Sequence, residues 1–288
     1  MPGSEPSNGR SEPRGVVFAA SGASYVVLAR RAARTLRQVM PGTPIDLFAD
    51  RAFEDTTFDT VHRLEGRGRR PKMEALRRSR FDRTLYLDCD VIALADPSEI
   101  FALLDYADLA GAHEHYGSAP IAMQSVRDTS IPPSFRQINS GVLGVRKSAA
   151  TDAFLARWQD DFEALKLQFD QPLLRELLWK SDLRLAVLPQ EYNLMHMPYL
   201  TAGNEKMMAP RLLHLPHLHV GSKFTDDPSR PLSPAEILSD HECSTIAARF
   251  ATDRTLGASR DLRVLAADML RKAPALDRTV RGIWNRFR

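Results

Sequence analysis

Cysteine is nearly absent from this 288-residue chain, which holds only Cys89 and Cys243. Two cysteines cannot build a disulfide framework, so a packed core must carry the fold, and a reducing compartment, the cytoplasm, is the expectation. Long apolar runs are missing too. No stretch approaches a membrane-spanning helix in length, and the opening MPGSEPSNGRSEPR has no apolar segment, so residues 1–14 read as a disordered tail and not as a signal peptide or anchor. No internal repeat is present. Charge of one sign does not dominate either: the net charge is +3, and residues 260–288, with eight Arg or Lys against three Asp, hold +5 by themselves. The remainder is slightly acidic, which disfavours a nucleic-acid binder. In the basic segment, Leu265, Val280, Ile283 and Trp284 accompany the cations, a composition suited to an amphipathic helix lying on an anionic surface. Peripheral contact with the inner membrane face is one expectation for it; packing against the main domain is the other.

What the chain does have is enough apolar surface for a full core, with 43% hydrophobic residues. GVVFAA from Gly15 reads as a buried strand. SGAS follows as a turn in which Ser24 could cap a helix over residues 25–40, ended by PGTP. IDLFA is a second strand, residues 51–71 mix turns with a basic run, and KMEALRRSRF is a helix feeding the strand TLYLD. VIALADPSEIFALL reads as a turn and a short helix, and DLAGA as a strand. Residues 113–137 form a long loop holding Pro120, Pro132 and Pro133, an insertion over the site. INSGVLGV is a strand, residues 149–169 a long helix, DQPLLRELLWK another helix, and RLAVLP and APRLLHL further strands. This alternation predicts an α/β domain over residues 15–230 with a mainly parallel central sheet and helices on both faces; residues 231–288 form a C-terminal helical extension. Such sheets bind ligands at the carboxyl ends of their strands.

LYLDCDV places Asp88 and Asp90 where an apolar strand runs out into solvent. If the strand continued, both carboxylates would share one face and Cys89 the other. Crowded carboxylates repel, and a divalent cation relieves that repulsion by taking oxygen ligands from both. A cation so held can also bind phosphate oxygens and stabilise a leaving diphosphate. Solvated turn aspartates are the plain alternative, which the preceding TLYL strand disfavours.

The ordered set GVVFAASGASY, KMEAL, LYLDCDV, INSGVLGV, DQPLL, YNLM and a late histidine cluster resembles the GT-A glycosyltransferases, most closely those of family 8, from about Gly15 to Phe224. The resemblance implies a Rossmann-like nucleotide-diphospho-sugar transferase fold and a retaining, metal-dependent transfer of a hexose from a nucleotide sugar, a UDP-sugar, to an unknown acceptor hydroxyl on a glycan, lipid or protein. By that similarity Ala19, Ala20 and Ser21 would touch base and ribose, with Asp50 nearby, and Lys72 would steady the donor. Asp88, Cys89 and Asp90 would meet its diphosphate side. Asn139, Ser140 and Gly141 resemble the segment beside the donor sugar, where glycine permits close backbone approach. Asp170 and Gln171 resemble the pair near the anomeric carbon, although helix capping would also explain Asp170. The family pattern ends in His, Gly and then Lys-Pro-Trp. RLLHLPHLHVGSKF has shortened spacing and no Pro-Trp, so Lys223 takes the place of the diphosphate lysine, and the third ligand beside Asp88 and Asp90 is His214 by strand position or, alternatively, His219. The cation is expected to be manganese or magnesium.

Two rival readings remain at this stage. An apolar strand followed by D-x-D-V also opens the haloacid-dehalogenase-like phosphatases, which need a later acidic pair after an apolar strand; Asp226-Asp227 lacks such a strand. The imperfect histidine-lysine segment would also suit a nucleotide-sugar-binding module without catalysis.

Overall fold

The computed structural model describes residues 13–66, 70–204, 206–220 and 224–256. Lys223 and residues 257–288, including the whole basic segment, lie outside the described residues, as do residues 1–12 of the expected tail. Chain order is β1 (Gly15–Ala20), α1 (Ala23–Val39), β2 (Ile45–Ala49), β3 (Thr60–Arg63), α2 (Pro71–Arg78), β4 (Arg83–Leu87), β5 (Val91–Ala93), α3 (Glu99–Leu103), β6 (Leu109–His113), α4 (Pro120–Met123), β7 (Ile138–Arg146), α5 (Ala149–Ala164), α6 (Gln171–Trp179), β8 (Leu185–Leu188), α7 (Met197–Ala202), β9 (Leu212–His214), α8 (Pro234–Ile237) and α9 (Asp240–Thr252).

Seven strands form the main sheet in the order β3-β2-β1-β4-β7-β6-β8, and only β7 runs antiparallel to its neighbours. β1 and β2 are buried along their whole length because both sheet faces are covered. Along β1, Val16, Phe18 and Ala20 enter the core under α1, while Val17 and Ala19 enter the core under α2, α5 and α6. On α1, Val26, Ala29, Ala33 and Leu36 recur at helical spacing and supply its buried stripe. The extension is tied to this body: Ile246 of α9 joins the core under α1, and the buried Arg31 of α1 donates to the carbonyls of Phe224 and Pro231 and to Glu236. Among the described residues no helix is long and apolar enough to cross a membrane.

Several expectations need correction. Ser24 does not cap α1; Gly22 stands at the N-cap with φ +94°, a conformation glycine adopts without steric cost, and Asp50 Oδ2 accepts its N–H at 2.7 Å. Residues 51–71 contain β3, a partly exposed edge strand. Residues 91–93 form β5, which pairs antiparallel with β9 in a separate two-stranded sheet. The long helix stops at Ala164, five residues early, and Lys166 adopts φ 50°, turning the chain back before Asp170.

Candidate functional site

Two strand registers assemble the site. β4 pairs with β7 so that Leu87 faces Val142, and Asp88 N–H then donates to Gly141 O at 2.8 Å, bringing residues 139–141 beside the DCD turn. β5 pairs with β9 so that Val91 faces His214, and Leu215 N–H donates to Asp90 O at 3.0 Å. Pairing, and not pleating, thus gathers the groups, because β4 ends at Leu87 and Asp88 to Asp90 form a turn. One ligand atom from each of Asp88, Asp90 and His214 lies within 4.8 Å of the other two. They open into a cleft of about 470 Å³, within the size range of small-molecule sites.

The two carboxylates are not unpaired, as the sequence alone suggested. Asp88 Oδ1 accepts from Tyr86 OH at 2.6 Å and Oδ2 from Lys72 Nζ at 3.1 Å. Asp90 is 3% exposed, with His219 Nε2 at 2.8 Å from Oδ2 and His214 Nε2 at 3.4 Å from Oδ1. Burial would raise the Asp90 carboxyl, but His214 and then His219 hold it well below the usual carboxylate range. His214 responds in kind: burial pulls it down, and Asp90 more than reverses that. Asp90 Oδ1 is buried and accepts no hydrogen bond, and it lies 3.4 Å from His214 Nε2. An orphaned oxygen beside a second carboxylate and an imidazole suits a divalent cation, so these residues fit the expected metal.

Lys72 is buried at 4% exposure and bridges the two halves of the site. Besides Asp88 it reaches Ser140 Oγ at 2.9 Å, Ser140 O at 3.2 Å and Asp170 at 3.6 Å. Burial opposes its charge, but Asp170 and Asp88 keep its pKa above the ordinary lysine value. It is not a solvated surface cation. Asp170 stands at the N-cap of α6 without using its side chain as a cap; Oδ2 accepts from Ser140 Oγ at 2.6 Å instead. Against burial, Lys72 and Arg70 hold its carboxyl low. Gln171 accepts from Ser140 N–H at 3.3 Å and donates to Glu114 Oε2 at 3.1 Å.

Ala19, Ser21 and Cys89 line the cleft, and the Cys89 thiol donates to Ala19 O at 3.1 Å. Burial, followed by Asp88 and Asp90, pushes that thiol well up, so it stays protonated. Ala20 does not reach the cleft, because strand alternation turns its methyl into the core under α1. Asp50 is not in the lining either; Gly22 N–H and Arg51 occupy its carboxylate, which closes the β1–α1 turn. Gly141 lies beneath His214. Asp226 and Asp227, the pair a phosphatase reading needs, sit in an exposed turn with Ser229 and do not line the cleft.

Residues 30–223 match the family described as nucleotide-diphospho-sugar transferase. The chain belongs to that family. Among solved structures it is similar to the glycosyltransferase GlyE of Streptococcus pneumoniae TIGR4, at 18% identity and TM-score 0.54 over 83% of this chain and 64% of GlyE. It is also similar to an active-site mutant of LgtC, at 14% identity and TM-score 0.50 over 86% of this chain and 98% of LgtC. At these identities the likeness is one of fold, and the chain spans less than two thirds of GlyE's length. No curated protein sequence matches it.

Within this nucleotide-diphospho-sugar transferase, no site role was expected for Glu114, Asn193, Arg70 or Tyr86, although Asn193 and Tyr86 fall within YNLM and LYLDCDV. Glu114 lines the cleft beyond the end of β6. Burial would raise its carboxyl, but hydrogen bonds from Asn139 and Gln171 hold it below the ordinary glutamate value, so it is ionised. Its position just past the carboxyl end of a strand was the one available signal.

Proposed function

We propose that this protein transfers a hexose from a nucleotide-diphosphate sugar to an acceptor hydroxyl, with retention of anomeric configuration and a UDP-sugar as donor, in line with its resemblance to family 8. The observation that carries this reading is the convergence of Asp88, Asp90 and His214 on one cleft at the carboxyl end of β4 in a chain of this family. These three residues would hold a manganese or magnesium ion, with His219 the alternative to His214. Such a cation neutralises a departing diphosphate.

The chain's own groups supply the rest. Lys72 lies between the Asp88 and Asp170 carboxylates, at 3.1 and 3.6 Å, and its charge offsets their repulsion. Asp170 fixes the Ser140 hydroxyl and Lys72 beside the segment read as sugar-facing. Glu114, balanced by amides and not by a cation, provides fixed negative charge where positive charge develops at an anomeric carbon. Gln171 and Asn139 position that carboxylate.

The test is turnover of a panel of nucleotide sugars, with water and simple glycosides as acceptors, in the presence and absence of manganese. Manganese-dependent release of one nucleoside diphosphate is expected, reduced roughly 100-fold or more in Asp90→Ala with the fold retained. Hydrolysis of generic phosphoesters without nucleotide-sugar binding would favour the phosphatase. Metal and nucleotide binding without turnover of any donor would favour a binding module.

A further inference from the structure

A chain of hydrogen bonds runs behind the site, and its direction can be read from one end to the other. Gly141 N–H donates to Asn139 Oδ1 at 3.0 Å, and a backbone amide can only donate. On its other side Asn139 presents Nδ2 to the Glu114 carboxylate at 2.9 Å, which can only accept. Two unrelated neighbours therefore fix one amide orientation, which settles the usual ambiguity between amide nitrogen and oxygen.

Asn193 meets the same Asn139 Oδ1 at 3.0 Å, so it must offer Nδ2 there and turn its own Oδ1 away. That oxygen faces His214 Nδ1 at 2.9 Å, and only a protonated Nδ1 can bond to it. The neutral His214 ring thus carries its proton on Nδ1. In that neutral ring Nε2 is the nitrogen without a proton, and it faces Asp90, 3.4 Å from Oδ1. Asn139, Asn193 and His214 are 2%, 2% and 6% exposed, so bulk water has little access to replace any link.

We propose that Asn193 is a positioning residue for the metal site: it holds His214 in the Nδ1–H tautomer, so that Nε2 is presented to a divalent cation shared with Asp88 and Asp90. This inference rests on the metal-dependent reading given above, and it separates the two candidate histidines. His219 is partly exposed; its Nε2 meets Asp90 Oδ2 at 2.8 Å, and among the described residues its Nδ1 is buried without a hydrogen-bond partner, so no acceptor there holds a proton on Nδ1 and leaves Nε2 free. Glu114 sets the direction of the chain from the far end. The same carboxylate oxygen that takes Asn139 Nδ2 also takes Gln171 Nε2, leaving Gln171 Oε1 to accept from Ser140 N–H. One ionised group therefore orients the amide on the expected sugar side and the imidazole on the metal side.

The experiment is titration of manganese alone, without nucleotide, into the full chain and its Asn193→Leu, Asn193→Asp and Asp90→Ala variants, followed by electron paramagnetic resonance. Asn193→Leu should weaken manganese binding roughly 10- to 100-fold, the range for loss of a group that orients a metal-bound histidine. Asn193→Asp should bind manganese more tightly than Asn193→Leu, because a carboxylate accepts from Nδ1–H as an amide oxygen does, although it loses the bond to Asn139 Oδ1. A residue that only packs would behave otherwise, since the aspartate opposes Asn139 Oδ1 and would do at least as much harm as leucine. Unchanged affinity in Asn193→Leu, or equal loss in both variants, overturns the inference while leaving the metal reading intact if Asp90→Ala still abolishes binding. Failure of the original chain to bind manganese overturns both. A readout independent of the variants is the nitrogen-15 spectrum of His214 in the original chain under saturating magnesium. A proton on Nδ1 is expected, and a proton on Nε2 would contradict the assignment.

Discussion

Gly141 has no side chain, and that leaves room for the His214 ring. A Cβ there would stand 2.2 Å from His214 Cε1 and 2.7 Å from Nδ1, far inside contact distance. In Gly141→Ala the ring must rotate away from Asp90 and Asn193. Overpacking of this kind costs about 1–3 kcal/mol. Chemical denaturation should show that loss, and manganese titration of the same variant should show weakened binding; unchanged affinity would mean that His214 is not a ligand. At this scale the sequence was legible where residue type and strand end coincide, as in LYLDCDV and INSG. Glu114 carried no expected role and Asn193 none beyond its place in YNLM, because each acquires its function through contacts with Asn139, 25 and 54 positions away. Asp50 has a structural part that its sequence position does not show. A carboxylate at a strand end looks available for ligand, and here its Oδ2 also accepts from Gly22 N–H at the β1–α1 bend.

Among the elements, α6 does two jobs. Its N-terminus carries Asp170 and Gln171, and its next turn pins the insertion of residues 113–137. Arg175 donates to the carbonyls of Phe135, Ile131 and Pro132, and Glu176 Oε2 accepts from the backbone N–H groups of Arg127 and Asp128. Glu176→Ala strips the partners from those two amides; Arg127 is exposed and Asp128 half-buried, so water can replace the lost carboxylate and the cost should be about 1 kcal/mol for each bond. Hydrogen exchange should then quicken at residues 127–128 while the main sheet keeps its protection; a uniform loss of protection would show that α6 and the loop do not separate. The strands of the central sheet were readable as apolar runs between turns. β3 was not, because TVHR lies on an edge, partly exposed, and lacks a core pattern. β5 has three residues and exists only through pairing with β9, more than 100 positions later, so no local window contains its cause. That unread pairing is what brings His214 to Asp90.

For the molecule as a whole, the described part of the C-terminal extension is held by buried charge. Arg211 meets Asp253 at 2.6 Å with side chains 1% and 2% exposed, joining the start of β9 to the end of α9. Asp253→Ala removes the close carboxylate from Arg211, which keeps the Ala209 carbonyl, Thr255 Oγ1 and Glu99 at 3.9 Å, so the change should cost about 1–3 kcal/mol at neutral pH. Against burial, Thr255, Ala209 N–H and Arg211 hold the Asp253 carboxyl below its ordinary value; against burial likewise, Arg34, Thr57 and Arg30 hold Asp55 low. Carboxyls depressed in the folded state stabilise it above their unfolded value and lose that contribution as pH falls through the folded one. The contribution of these two carboxyls should therefore fade only once pH enters and passes below the ordinary aspartate range, and the melting-temperature deficit of Asp253→Ala should shrink there. The alternation of strands and helices made the layered fold legible at this scale, whereas the attachment of the extension depends on Arg31, Arg211 and Asp253, which look like surface charges in the sequence. The central claim, a metal-dependent nucleotide-sugar site, is tested most directly by calorimetric titration of UDP, GDP and their sugar conjugates, with and without manganese, into the full chain and the Asp88→Ala/Asp90→Ala double variant. Manganese-dependent binding of one nucleotide that disappears in the double variant is the expected result; nucleotide binding that is indifferent to manganese and to both aspartates would contradict it.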